Sequence, residues 1–178
     1  MKRRKIVLLA DGSEEFRWLM GKCAQQHTYF SMITVGSGRD VLTCMKKQPP
    51  DLLLIDMALP DICGLTVLKE LKRQGITPKT IVMSSVVSER IAEKALSLGA
   101  VHFVPKPFHT EALFDMIYGL LHGYPQYPPL ALSRAAGNGC LFEKALLRKA
   151  NDRNNFFGIM KRRPSRKWEG LRFLCYLS

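Results

Sequence analysis

Four residues of the chain could do chemistry together: Asp11, Asp56, Ser84 and Lys106. Each stands at or shortly after the end of a short apolar run, and such runs are typical of buried strands in a parallel sheet. The carboxyl ends of parallel strands meet at one edge, where open α/β folds place their chemistry. Carboxylates suit a hard divalent cation such as Mg²⁺, and an ammonium with a hydroxyl can stabilise phosphoryl oxygens. The four side chains therefore predict a site that holds a phosphorylated aspartate.

The apolar run at residues 52–55 is the centre of this pattern. It is too short for a helix and is bounded by acids and prolines, which is typical of a strand buried on both faces. Asp56 would then project from the carboxyl edge of the sheet. Alternatively, Asp56 only caps the following turn, as Asp often does. The run and its Asp do not by themselves decide between these interpretations.

Five strand–helix units follow one another between residues 6 and 122. Such strict alternation implies right-handed crossovers and a parallel sheet that helices cover on both faces. The first helix has an apolar stripe with helical spacing, formed by Phe16, Leu19, Met20 and Cys23. Arg17 falls on the solvent side of that helix. The histidines show no ligand spacing and are predicted to lie at the surface or in loops: His27, His102, His109 and His122.

The composition excludes several classes of protein. With 178 residues, 47% hydrophobic and 24% charged, the chain can fill a core, as one domain with an appendage or as two small domains. The five cysteines form no C-x-x-C pair, which argues against a zinc site or a disulfide framework. Apolar runs are too short for a signal peptide or a membrane span, so we expect a cytoplasmic protein with no membrane partner.

The positive charge is concentrated near the C-terminus. The formal net charge is +12, and residues 125–178 hold 11 Lys and Arg against 3 Asp and Glu, after a proline-rich linker. In one interpretation this tail binds nucleic acid through Lys161, Arg162, Arg163, Arg166 and Lys167. In another it is a truncated or frame-shifted remnant, and the plainest alternative is a solvated basic segment. We expect the tail to be dispensable for the fold and to dominate any binding to DNA.

Five sequence blocks, in this order and spacing, resemble the receiver domain of bacterial response regulators over residues 5–122. The blocks are Leu-Leu-Ala-Asp at 8–11, Leu-Ile-Asp-Met-Ala-Leu-Pro-Asp at 54–61 with Gly64, Ser84-Ser85, Gly99-Ala100 and Lys106-Pro107-Phe108. The resemblance implies a flavodoxin-like (βα)5 fold of five strands in the order 2-1-3-4-5, with a receiver at 1–123 and a tail at 124–178. Among receivers, residues 95–108 look most like those of the sporulation-initiation transcription factors of Firmicutes, but no match to the DNA-binding domain of those factors follows.

The resemblance also implies roles for the residues at the strand ends. Asp56 would be the phosphoacceptor, and Asp11 would belong to an acidic pocket for Mg²⁺. Ala58 would offer its backbone carbonyl to the metal. Ser84 would be the switch hydroxyl, and Lys106 would contact the phosphate.

Two further expectations follow from the resemblance, together with one departure from it. Phe103 would be the aromatic that changes rotamer, and the peptide bond before Pro107 is expected to be cis. Receivers usually carry two adjacent acids after the first strand, and the second position is Gly12 here. Since that position supplies a direct metal ligand, Mg²⁺ binding and phosphorylation are left open. Glu14 or Glu15 could reach back, although both are expected to be solvated acids of the first helical turn.

Three functions are compatible with these patterns. In the first, a sensor histidine kinase or phosphotransferase phosphorylates Asp56 and the protein regulates transcription, with a homodimer through the last receiver helices and DNA as further partners. In the second, Gly12 has abolished phosphorylation and the domain is a pseudo-receiver that only binds partners. In the third, Asp56 is the nucleophile of a small phosphatase, and Ala58 counts against this because an acid is expected there. The first interpretation implies no enzyme activity beyond Mg²⁺-dependent self-phosphorylation.

Overall fold

A computed structural model describes residues 3–86 and 88–123. The predicted linker and basic tail lie outside the described residues, and with them the five candidate nucleic-acid contacts at positions 161, 162, 163, 166 and 167. The predicted domain boundary after residue 123 therefore stays a prediction.

Five strands alternate with five helices. The strands are β1 (Lys5–Ala10), β2 (Phe30–Val35), β3 (Leu52–Asp56), β4 (Thr80–Ser84) and β5 (His102–Pro105). The helices are α1 (Glu14–Ala24), α2 (Gly38–Lys47), α3 (Gly64–Arg73), α4 (Glu89–Ser97) and α5 (Thr110–His122). The strands form one parallel sheet in the order β2-β1-β3-β4-β5. This confirms the predicted doubly wound, flavodoxin-like fold.

Local sequence explains where these elements begin. The hydroxyl of Ser13 accepts a hydrogen bond from the backbone N–H of Phe16, so Ser13 caps the start of α1. Glu14 and Glu15 follow in the first turn, where the helix dipole favours negative charge. Ser37 caps α2 in the same way, through the N–H of Asp40. Both helices therefore begin within four residues of the end of the preceding strand, so their N-termini lie near the carboxyl edge of the sheet.

The core has a layer on each face of the sheet. One layer packs α1 and α5 against alternate residues of the central strands, and its members include Met20, Leu54, Met83, Phe114 and Ile117. The opposite face is covered by α2, α3 and α4, which bury Val41, Met45, Val67, Leu71 and Ala95. Because helices cover both faces, every residue of β3 is buried.

Two sequence predictions about individual side chains are wrong. Leu19 is 41% exposed, because α1 is rotated so that Met20 and Ala24 face the sheet. His102, predicted at the surface or in a loop, lies on β5 and is only 4% exposed. Strand alternation places His102 on the same face as Val104, which packs in the layer beneath α5.

The buried imidazole of His102 leads to a prediction about pH. Its Nε2 has no hydrogen-bond partner within the described residues, and burial lowers its pKa below the ordinary value of 6.5. The unfolded chain therefore takes up this proton more readily, and stability should be lost as the pH falls below 6.5. We expect His102→Leu to raise the free energy of unfolding by about 1–3 kcal/mol, since it removes an unsatisfied polar group, and to flatten the dependence on pH.

Urea denaturation between pH 5 and pH 8 measures both effects. His109→Gln is the matched control, because His109 is exposed and its removal should leave the stability profile unchanged. Burial also lowers the pKa of His27, so some pH dependence should remain in His102→Leu. If His102→Leu keeps the full wild-type pH profile, then protonation of His102 does not limit stability.

Candidate functional site

The two acids predicted to form the site lie side by side at the carboxyl edge of the sheet. Asp56 is the last residue of β3, and Asp11 directly follows β1. These strands are adjacent, with Ala10 in register with Ile55. Asp11 is 2% exposed and Asp56 is 7% exposed, so both carboxylates are shielded from bulk water. Buried carboxylates of this kind need compensating positive charge and hydrogen bonds.

Lys106 supplies that compensation. Its Nζ lies 2.6 Å from Oδ2 of Asp11 and 2.6 Å from Oδ2 of Asp56. The backbone N–H of Lys106 donates to the Ser84 carbonyl at 2.7 Å, which ties the residue after β5 to the end of β4. Burial alone would lower the pKa of Lys106, but the hydrogen bonds and negative charge of the two carboxylates hold this pKa above its ordinary value. The ammonium is therefore charged and bridges both acids.

The second oxygen of each carboxylate accepts a backbone hydrogen bond. The N–H of Ser13 donates to Oδ1 of Asp11 at 2.9 Å, and the N–H of Ala58 donates to Oδ1 of Asp56 at 3.1 Å. Both acids are thus oriented by the loops that follow their own strands. The turn-capping role considered for Asp56 is present, but it uses only one of the two carboxylate oxygens.

Ser84 and Phe103 occupy neighbouring strands. Ser84 ends β4 and is buried; its hydroxyl donates to the Val86 carbonyl and accepts from the Val86 N–H, each at 3.0 Å. In this structure the hydroxyl therefore stabilises the loop that follows β4. Phe103 is buried on β5, in register with Val82. The expected cis bond between Lys106 and Pro107 is confirmed.

Two residues of α1 that the sequence analysis did not place in the site support it. Nη1 of Arg17 donates to the carbonyls of Asp11 at 2.7 Å and of Gly12 at 3.1 Å, so the guanidinium holds the loop after β1 and does not simply face solvent. The ring of Phe16 lies 5.0 Å from Nζ of Lys106 and makes an edge-on contact with Phe108. Their positions five and six residues after Asp11, in the first turn of a predicted helix, were the only sequence signal for these contacts.

Comparison with known proteins is consistent with this geometry. The response regulator receiver domain family matches residues 7–118, well over half of the chain. The chain belongs to that family. Its fold is similar to the signal receiver domain of a protein described as a Luxo repressor from Vibrio parahaemolyticus, at 25% identity and a TM-score of 0.64. That match covers 68% of this chain and 92% of the other.

Two further solved structures share the receiver fold. One is the chemotaxis response regulator CheY4 of Vibrio cholerae, at 21% identity, a TM-score of 0.60 and coverage of 66% of this chain and 99% of the other. The other is a CheY-like receiver domain protein from Methanospirillum hungatei JF-1, at 22% identity, a TM-score of 0.62 and coverage of 68% and 96%. Within the described part of this receiver, no helix combines the length and apolar character needed to cross a membrane.

The acidic pocket of this receiver offers oxygen atoms that suit Mg²⁺. The candidate donors are the carboxylates of Asp11 and Asp56 with the carbonyl of Ala58. Mg²⁺ needs few protein oxygens because it keeps several of its waters. Within residues 3–86 and 88–123, no three His, Cys, Asp or Glu side chains are grouped closely enough to hold a metal. These oxygens are of the kind that Mg²⁺ prefers, but the set has one carboxylate fewer than the resemblance to receivers leads us to expect.

Gly12 is the position of the missing carboxylate. A Cβ atom at Gly12 would lie 3.6 Å from the Ala58 carbonyl oxygen and 3.5 Å from Cδ of Pro60, which are ordinary van der Waals distances. A side chain therefore fits there and would start beside the predicted metal-binding carbonyl. Glu14 and Glu15 are exposed residues of the first turn of α1, as predicted, and Glu15 accepts a hydrogen bond from the Ser13 hydroxyl at 2.9 Å.

Asp61 holds the loop between β3 and α3, a role that the sequence analysis did not assign. Its carboxylate accepts hydrogen bonds from the backbone N–H of Gly38 at 2.7 Å and of Arg39 at 3.0 Å. Burial opposes ionisation of Asp61, but these backbone hydrogen bonds hold its pKa below the ordinary value. The loop that follows β3 is thus anchored to the N-terminus of α2.

Proposed function

We propose that this receiver is a response regulator that accepts a phosphoryl group on Asp56 from the phosphohistidine of a sensor kinase or phosphotransferase. The observation that supports this most directly is the Lys106 ammonium, 2.6 Å from the carboxylates of both Asp56 and Asp11. An ammonium already placed at the nucleophile can bind the incoming phosphoryl oxygens without further reorganisation.

The chemistry needs little beyond positioning. An oxygen of the Asp56 carboxylate attacks phosphorus as the P–N bond of the donor breaks, and the imidazole leaves with that electron pair and takes up a proton. Lys106 then balances the added negative charge. When bound, Mg²⁺ would offset charge on the phosphoryl oxygens, and Asp11, Asp56 and the Ala58 carbonyl are the groups that would hold it.

We assign the switch to Ser84 and Phe103. The Ser84 hydroxyl is bonded to Val86 in this structure, so it has to leave that loop to donate to a phosphoryl oxygen on Asp56. Such a movement would rearrange the segment that precedes α4. Phe103, buried on the strand next to β4, is the aromatic whose rotamer we expect to follow it.

The downstream function is proposed from the sequence alone. The likeness of residues 95–108 to sporulation-type regulators supports transcription control in the cytoplasm, with a homodimer through the last receiver helices as the active form. The basic tail supports DNA as a partner. A phosphatase is less well supported, because Ala58 provides no side-chain acid two residues after Asp56.

Phosphorylation is tested by incubating the full chain with Mg²⁺ and acetyl phosphate and then weighing the intact protein. We expect the mass to increase by one phosphoryl group, and we expect EDTA to prevent this. If the mass does not change with acetyl phosphate or with a phosphorylated phosphotransferase, the pseudo-receiver is the better interpretation. Gly12 is the observation that favours that second candidate.

Restoring an acid at position 12 should strengthen metal binding. We expect Gly12→Asp to lower the dissociation constant for Mg²⁺ on the order of tenfold, because it adds a carboxylate beside the Ala58 carbonyl. Gly12→Asn is the matched control, since it adds the same bulk without charge and should gain little. Isothermal titration of the three proteins with Mg²⁺ measures the difference. Equal affinities for wild type and Gly12→Asp would mean that water or another residue already fills this coordination position.

A further inference from the structure

Basic side chains concentrate at the amino edge of the sheet, opposite the Asp56 site. In this parallel fold the strands begin at that edge and the helices end there. The last turns of α1 to α4 hold Lys22, Lys46, Lys47, Lys72, Arg73 and Lys94. The opposite edge carries the acids of the first turns of α1, α2, α4 and α5, together with the acidic pocket. The receiver is therefore electrically polarised along its strands.

Helix dipoles explain only part of this charge. Lys and Arg in a last turn stabilise the negative end of a helix, but four more basic residues lie on strands and loops of the same edge: Arg3, Arg4, Lys5 and Lys79. Nζ of Lys79 donates to the Leu120 carbonyl and Nη2 of Arg4 donates to the His27 carbonyl, both at 2.8 Å. These bonds hold the two cations in place without cancelling their charge.

Few acids neutralise the amino edge. Asp51 binds Arg3 at 3.2 Å and Lys5 at 2.9 Å, and Glu70 binds Arg73 at 2.7 Å. Glu93, which directly precedes Lys94, is the third acid among the described residues at or next to this edge, so ten basic residues less three acids leave +7. A surface of this charge, spread over the ends of α1 to α4 and the strand starts, attracts polyanions.

We propose that the amino edge of this receiver binds the phosphate backbone of a nucleic acid. The fifth helix, α5, also ends at this edge, at His122. By composition, residues 125–178 are basic as well, with 11 Lys and Arg against 3 acids.

The apolar residues at the surface argue for nucleic acid and against a membrane. A membrane-surface site pairs its cations with apolar side chains that enter the lipid. The exposed large apolar residues of the described chain are Trp18, Leu19, Ile33 and Val86, and none lies in a loop of the amino edge. Trp18 and Leu19 lie in the middle of α1, and Nζ of Lys22 lies over the Trp18 ring at 5.8 Å from its centroid.

The inference extends the DNA-binding part of the proposed function, and its test uses the full chain without any phosphodonor, so it is independent of Asp56. Binding to a fluorescein-labelled random-sequence DNA duplex is measured by anisotropy over a range of NaCl concentrations. Lys46→Gln/Lys47→Gln removes two exposed cations that make no hydrogen bond within the described residues. The control, Arg39→Gln/Arg90→Gln, removes two exposed cations near helix N-termini at the carboxyl edge.

We expect Lys46→Gln/Lys47→Gln to bind the duplex about tenfold more weakly at low salt. The slope of log K against log [NaCl] should become less steep by about 2, because each lost phosphate contact reduces the slope by about 0.9. The control should bind within about twofold of wild type. A third variant replaces all five tail cations from 161 to 167 with Gln, and we expect it to bind more weakly as well.

Three results would overturn the inference. In the first, the tail variant loses binding while Lys46→Gln/Lys47→Gln binds like wild type, so that the tail alone makes the contact. In the second, both double variants weaken binding equally, which would indicate an effect of net charge without a defined surface. In the third, the full chain does not bind the duplex but binds phosphatidylserine vesicles or polyglutamate, which would indicate that the partner is a membrane or an acidic protein.

Discussion

Asp56→Asn is expected to take up no phosphoryl group from acetyl phosphate or from a phosphorylated phosphotransferase, where the wild-type chain takes up one. The amide oxygen is a poor nucleophile, and Asp56 is the carboxylate at the end of the central strand beside the Lys106 ammonium. The single oxygen of the Asn side chain can still accept one of these two hydrogen bonds, from Lys106 or from the Ala58 N–H. The loss should therefore reflect the missing nucleophile, with the fold retained.

Intact mass and peptide mapping of the borohydride-trapped acyl phosphate measure this effect. Asp61→Asn is the matched control, because Asp61 lies in the loop that follows and the Asn oxygen can still accept one of its two hydrogen bonds from the start of α2. The control should be phosphorylated like wild type. Phosphate recovered on another residue, with uptake by Asp56→Asn undiminished, would refute the assignment of the phosphoacceptor.

The second large effect is expected for Gly64→Ala, which should lower the free energy of unfolding by about 3 kcal/mol. Gly64 is the buried first residue of α3, and its N–H donates to the Met57 carbonyl at 3.0 Å. An added Cβ would overlap the Asp56 carbonyl oxygen and lie 3.1 Å from the Met57 Cα. Both neighbours are backbone atoms, so this overlap can be relieved only if α3 or the loop after β3 moves.

Gly21→Ala is the control for Gly64→Ala. Gly21 lies within α1, and a Cβ there would meet no atom within 4 Å. This change should raise the free energy of unfolding by about 1 kcal/mol, because Ala is a better helix former than Gly. Urea denaturation of both variants measures the two shifts. A Gly64→Ala protein as stable as wild type would show that the start of α3 adjusts without strain.

Gly64→Ala should also affect the site, because α3 begins against the backbone of Asp56. A shift of this backbone would change the 2.6 Å contact between Asp56 and Lys106. We therefore expect phosphorylation of Gly64→Ala to slow even under conditions where the variant is folded.

The order of the elements could be predicted from sequence because its causes are local. Short apolar runs ended by polar residues indicate buried parallel strands, and Ser13 and Ser37 cap the helices that follow. Because all carboxyl ends of a parallel sheet meet at one edge, the positions of Asp11, Asp56 and Lys106 at or after strand ends were enough to predict that they lie close together. The structure places these three in direct contact.

The contacts between elements depend on helix rotation and on the course of the loops, which the local sequence does not specify. Leu19 is exposed and His102 is buried because packing across the whole sheet sets the rotation of α1 and the position of β5 under α5. Arg17 reaches back to the carbonyls of Asp11 and Gly12, and Asp61 reaches α2, across loops whose course no local pattern specifies. Periodicity determines which residues share a face, whereas the contacts between elements arise from the packing of the complete fold.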